Sequence, residues 1–112
     1  MTEWARARSL GKRDDAEPGI VRVFIDAGGS VIKHSGKGEP DLFVGIFEMT
    51  FPVEVKSGEK AKLTDDQVEW LGTWQGSPVQ ICRSEDEARH LVHVWRTAAA
   101  VQRERDRKVG IL

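Results

Sequence analysis

A chain of 112 residues supports one compact domain with a single core, and its formal net charge of −1 excludes a protein that coats nucleic acid by bulk electrostatics alone. No run approaches the roughly 20 apolar residues needed to span a bilayer, and the N-terminal MTEWARARSLGKRDD has basic residues with no apolar segment behind them, so neither a membrane protein nor a secretory signal is expected. The one cysteine, Cys82, sits in the apolar run VQIC and reads as a buried free thiol of a reducing, cytoplasmic compartment rather than a nucleophile or a metal ligand.

The first predicted element is a helix in DDAEPGIVRVFIDAGG, with Asp14 or Asp15 as its cap, Pro18 in its first turn and Gly28 and Gly29 at its end. Ile20, Val21, Phe24 and Ala27 recur at helical spacing, and Glu17 falls on the same face, toward the core. An acid in a first turn also offsets the helix macrodipole, so Glu17 has two readings. SVIKH is the first strand, SGKGEP a glycine-rich loop, DLFVGI the second strand and TFPVEVKS the third. The short segment around Phe47 to Met49 has to turn between the last two, which makes them antiparallel, although it lacks an Asn-Gly or Asp-Gly signal. KLTDDQVEWLGTWQG is a helix with Thr64 as N-cap, Gln67 as capping-box partner, Leu63 and Val68 as a hydrophobic staple, an apolar stripe through Val68 and Leu71 to Gln75, and Gly76 as terminator. SPVQICR is a fourth strand, and Ser84 with Glu87 opens a last helix that carries Ala88, Leu91, Val92 and Trp95 on one face and ends in the solvated QRERDRK.

Alternation on the third strand turns Glu54 and Lys56 to one face, about 7 Å apart along the strand, and the antiparallel neighbour brings Asp41 toward them. Two carboxylates held together repel unless a proton or cation compensates, and oxygen donors of this kind suit magnesium or manganese. A divalent ion on Asp41 and Glu54, with Lys56 beside it, fits hydrolysis of a phosphodiester. The competing account, a buried Asp-Lys-Glu ion cluster, explains less, because buried ion pairs stabilise weakly. His90 and His93 lie three apart on the last helix with no third ligand nearby, and read as surface or half-buried residues rather than a zinc site. Trp70 and Trp74 form either a stripe at a subunit interface or part of the core. Arg6, Arg8, Lys12 and Arg13 crowd the N-terminus, while Lys33, Lys37, Lys56, Lys60 and Lys62 lie in and around the Gly38 to Gly58 stretch, either as a solvated mixed-charge surface or as phosphate contacts. His34 has the same two readings, phosphate contact or exposed strand end.

Pro40 and Asp41, followed thirteen positions later by Glu54, Val55 and Lys56, resemble the PD-(D/E)XK nuclease signature. EPGIV, GKGEPDLFVG, VEVKSG and LTDDQVEW, in that order between Arg13 and Leu91, are similar to the small stand-alone virus-type replication-repair nuclease (VRR-NUC) domains of phages and bacteria. The resemblance implies an α/β, restriction-endonuclease-like core of helix, three strands, helix and strand plus a C-terminal helix, on a mixed four-stranded sheet. It divides the chain into an arm over residues 1–12, a nuclease domain over 13–100 and a helical tail over 101–112. It implies a Mg2+- or Mn2+-dependent DNA endonuclease of the Holliday-junction-resolvase type, acting as a homodimer in the cytoplasm of a bacterial cell or phage-infected host. A flap or nicking nuclease without junction preference, or a silent DNA-binding module on the same fold, are the alternatives. Carried over to this sequence, it makes Asp41 and Glu54 metal ligands, completed by the Val55 carbonyl and by Glu17, and Lys56 the catalytic lysine. Lys33, His34, Lys37, Lys60 and Lys62 are the candidate DNA contacts. Gln67 becomes a site residue, a role expected to exclude its capping role because one rotamer should not serve both. Two departures from the family pattern, Glu39 at a usually aliphatic position and the apolar turn at Phe47, leave the catalytic set intact.

Overall fold

A computed structural model describes residues 15–57 and 62–110; the basic N-terminal arm, the cap candidate Asp14 and Lys60 lie outside the described residues. The elements follow the expected order: α1 (Glu17–Asp26), β1 (Ser30–Lys33), β2 (Leu42–Ile46), β3 (Met49–Val55), α2 (Asp65–Leu71), β4 (Gln80–Cys82) and α3 (Glu85–Lys108). Their strands form one four-stranded sheet in the order β1-β2-β3-β4, antiparallel through β3 and parallel between β3 and β4. The parallel step is the one that contains α2, since a parallel neighbour cannot be reached by a tight hairpin.

Local chemistry explains most element ends. α1 closes in a Schellman arrangement: Gly28 N–H donates to the Ile25 carbonyl at 2.9 Å, Gly29 N–H to the Phe24 carbonyl at 2.9 Å, and Gly28 holds the left-handed φ of 97° that this ending requires. The start of α1 differs from the expectation. Ala16, not an aspartate, is its N-cap, with φ −75° and ψ −16° and no side-chain bond, because a capping side chain needs an extended cap residue and this one is already helical. Val23 rather than Val21 joins Glu17, Ile20 and Phe24 in the buried stripe, with Val21 and Ala27 packed at its margin. α2 keeps its predicted capping box at Thr64 and Gln67 but stops at Gly72 instead of Gly76, and Val68, expected on an apolar stripe with Leu71 and in a staple with Leu63, is 57% exposed.

The core lies between α1, α3 and one face of the sheet. Trp95 of α3 stacks on Phe51 of β3 at 4.2 Å and on Phe24 of α1 at 5.4 Å, joining three elements at one side chain. Leu42, Val44, Ile46, Val53, Val55 and Cys82 complete that face. Cys82 donates to the Ser84 carbonyl at 3.4 Å, and burial pushes its thiol pKa up to about 11, so it is the inert buried thiol the sequence indicates. Beyond Ala99, the last buried residue, α3 projects from the core. Among the described residues no helix is long and apolar enough to cross a membrane.

Two exceptions to strand grammar have tertiary causes. Phe47 and Glu48 turn the β2–β3 hairpin with φ of 56° and 64° although neither is glycine. Phe47 compensates by packing at the core margin, with the Arg96 guanidinium 5.3 Å above its ring. Pro52 sits inside β3, where a proline normally removes a ladder bond. Lys56 N–H, four residues on, points to β4, so by alternation the donorless nitrogen of Pro52 faces that side too, where pairing begins only at Val53.

Candidate active site

The β2–β3 ladder pairs Leu42 with Val53 and then ends. One step beyond, Asp41 comes opposite Glu54, at the mouth of the loop that leads from β1. Asp41 is tied on both sides: its carbonyl accepts from His34 N–H at 2.7 Å, and its Oδ2 accepts from Val55 N–H at 2.8 Å. The carboxylate thus replaces the strand partner that Val55 has lost, which fixes the side chain at the edge of the sheet. An extended residue turns its N–H and C=O to the same edge, so the Val55 carbonyl also faces the Asp41 side.

Glu54 is 5% exposed, an unusual state for a carboxylate. Lys56 Nζ stands 3.5 Å from its Oε2, and Gln67 Nε2 donates to the same oxygen. Burial, and then the neighbouring charge of Asp41, raise the Glu54 pKa to about 7, against the opposing pull of Lys56 and Gln67. Gln67 serves both roles that were expected to exclude each other: its Oε1 accepts from Thr64 N–H at 2.9 Å and its backbone N–H donates to Thr64 Oγ1 at 3.2 Å, while its Nε2 reaches Glu54. A side-chain amide has an acceptor end and a donor end, and the cap uses only the acceptor. The capping box therefore aims the amide group at the site.

No family model matches the sequence, and no curated protein matches it. A solved structure described as "VRR_NUC domain" is similar to this chain, with a TM-score of 0.59 and 27% identity over 70% of this chain and 90% of that one. The fold is that of a VRR-NUC domain. It points to a nuclease.

The remaining candidates are distributed around the VRR-NUC core. Glu17 is 3% exposed in the first turn of α1, so the reading that turned it toward the core was the right one. Among the described residues no group of three His, Cys, Asp or Glu side chains is placed to hold a metal ion. His34 pairs with Glu39, and Glu39 N–H donates to the Gly36 carbonyl at 3.1 Å. That pairing accounts for an acid where the VRR-NUC pattern usually has an aliphatic residue. Lys37 is exposed and lies 3.7 Å from Asp66 of α2, while Lys33 and Lys62 are exposed at the end of β1 and ahead of α2. His90 and His93 are exposed on α3.

The same loop docks on α2 through Gly38, which has a φ of 75° and where a Cβ would stand 2.4 Å from the Asp66 carbonyl oxygen. Gly38→Ala is expected to destabilise the protein by about 1–3 kcal/mol, from left-handed strain and a contact that only backbone movement can relieve. A urea titration checks this, and an unchanged midpoint would show that the loop does not seat on α2. Trp70 and Trp74 lie outside the buried core and extend a row of rings through Phe43 to His34. The signal was the spacing of three residues from Gln67, which puts Trp70 beside it on α2, with Trp74 in the turn that follows.

Proposed function

We propose that this protein is a divalent-metal-dependent DNA endonuclease that hydrolyses phosphodiester bonds. The observation that carries this reading is the convergence of Asp41, Glu54 and Lys56 where the β2–β3 ladder ends, on a nuclease fold. The donor set fits Mg2+ or Mn2+: two carboxylates and the Val55 carbonyl are hard oxygen ligands, and the elevated pKa of Glu54 marks a place where added positive charge is favourable. Such an ion would supply Lewis-acid polarisation of a phosphoryl oxygen and lower the pKa of a coordinated water.

The protein groups have distinct tasks. Asp41, held by Val55 N–H, presents its carboxylate from a fixed edge. Glu54 must be ionised to bind a cation, and Lys56 and Gln67 both favour its ionised form. Lys56 places an ammonium beside the reacting phosphate, where it orients the attacking water and offsets the negative charge that grows on the phosphoryl oxygens. Gln67 acts through Glu54 and is a positioning residue. Glu17 is proposed as a further acid of the site acting from α1, and Lys33, His34, Lys37, Lys60 and Lys62 as contacts to the DNA backbone.

The substrate is a branched duplex, with the four-way junction as the leading form. Two symmetry-related cuts need two sites, which calls for a C2 homodimer. Residues 13–100 form the nuclease domain in this reading, with an arm before it and a helical tail after it. The test is cleavage of a labelled four-way junction, a flapped duplex and a linear duplex of the same sequence with magnesium, manganese or EDTA. Paired cuts in the junction that need metal and fall by about 10²–10³-fold in Lys56→Ala are expected. Equal cutting of all three substrates keeps the nuclease and removes the junction; binding with no cleavage in any metal makes the chain a silent DNA-binding module.

A further inference from the structure

We infer that Trp70, Trp74 and Phe43 form a stacking platform for an unpaired base of the DNA, immediately beside the carboxylate site; the inference rests on DNA being the ligand, as proposed above. Trp70 and Trp74 stack with centroids 4.9 Å apart and planes 19° apart, and Phe43 lies 6.3 Å from Trp74. Phe43 lies on β2 two residues after Asp41, which directly precedes the strand, so alternation turns both to one side about 7 Å apart. The side of α2 that sends Gln67 to Glu54 also carries Trp70, and Trp74 follows in the turn after the helix, its N–H donating to the Trp70 carbonyl at 3.2 Å. Site and rings are therefore one continuous surface.

Core packing does not account for the row. α2 buries none of its residues, Trp74 is 37% exposed, and Ile32, directly across the ladder from Phe43, is 65% exposed. Yet the rings are held in place. Trp74 Nε1–H donates to the Ser77 carbonyl at 2.7 Å, Thr73 Oγ1–H to the Trp70 carbonyl at 2.8 Å, and Gly76 leaves room for a ring that would stand 2.4 Å from any Cβ there. An ordered, open π surface binds a flat partner with little further loss of freedom. The segments on either side supply cations, Lys37 on the loop before β2 and Lys62 ahead of α2, which suits a partner whose flat rings hang from a phosphate backbone. At a branched or distorted duplex, a base unstacked next to the scissile phosphate has this chemistry.

The experiment compares two end-labelled oligothymidylate strands of equal length, one intact and one with abasic residues, binding to the full chain in EDTA so that no cleavage occurs. The intact strand is expected to bind about tenfold more tightly and to quench tryptophan fluorescence, because stacking is the difference between the two. Trp74→Leu is expected to bring that ratio to near one, Trp74→Phe to retain most of it, and Phe43→Leu serves in place of Trp74→Leu if the latter fails to fold. A ratio near one in the parent protein, or one unchanged in a natively melting Trp74→Leu, overturns the platform. So does a ratio unaffected by Trp74→Leu while sedimentation shows a dimer becoming a monomer, which would assign the face to a second copy. Failure of the nuclease reading appears separately, as absence of cleavage with magnesium or manganese; a base-dependent ratio in that case still supports the platform, on a protein that binds DNA without cutting it.

Discussion

Asp41→Asn is expected to lower metal-dependent cleavage by at least about 10³-fold while the protein keeps its fold. Asparagine retains a side-chain oxygen that can accept from Val55 N–H, so the edge of the sheet stays closed. What it removes is the formal charge that a divalent ion needs and that helps to raise the pKa of Glu54. Asp41→Ala makes the useful contrast, since it also strands the Val55 donor, which adds about 1–3 kcal/mol of destabilisation where that group is shielded from water. Single-turnover cleavage measured beside thermal melts separates the two effects. If Asp41→Asn cuts DNA within tenfold of the parent, the carboxylate does not belong to the reacting centre.

The order of elements along the chain, the antiparallel β2–β3 pair and the carboxylate pair were legible because they follow from short-range rules. Alternation put Glu54 and Lys56 on one face, and a tight connection made β2 and β3 antiparallel, which sufficed to bring Asp41 to Glu54. The start of α1 and the end of α2 were not legible, for different reasons. An aspartate can cap only if the backbone beside it is extended, and the turn before α1 is already helical at Ala16. At α2 the apolar spacing of Val68 and Leu71 indicated a buried stripe, but the helix is anchored to the sheet by Gln67 and the tryptophans, and Gly76 serves the Trp74 ring rather than the helix end. The hairpin at Phe47 and Glu48 lacks turn residues because a contact distant in sequence, with Arg96, offsets the local preference. Gln67 was misjudged by treating an amide as one hydrogen-bonding group instead of two.

Glu54 carries the prediction that links stability to function. Its folded pKa, about 7, lies above its ordinary value of 4.5, so between these pH values the folded protein holds a proton that the unfolded chain has released. Stability contributed by the neutral carboxyl is complete below pH 4.5 and is lost as pH rises through 7, for a loss of about 3 kcal/mol. In EDTA the melting temperature should therefore fall on the order of 10 °C more between pH 5 and pH 8 than it does in Glu54→Gln, whose neutral amide does not titrate. Magnesium or manganese is expected to restore the melting temperature at pH 8, where Glu54 is ionised, and to have little effect at pH 5, where a proton competes for the same oxygens. Glu54→Gln should be the more stable protein at pH 8 without metal, unresponsive to added metal, and inactive on DNA. Parallel pH profiles for the two proteins would mean that Glu54 titrates as an ordinary carboxylate, and the strained acid pair at the end of the β2–β3 ladder would no longer explain why a cation binds there.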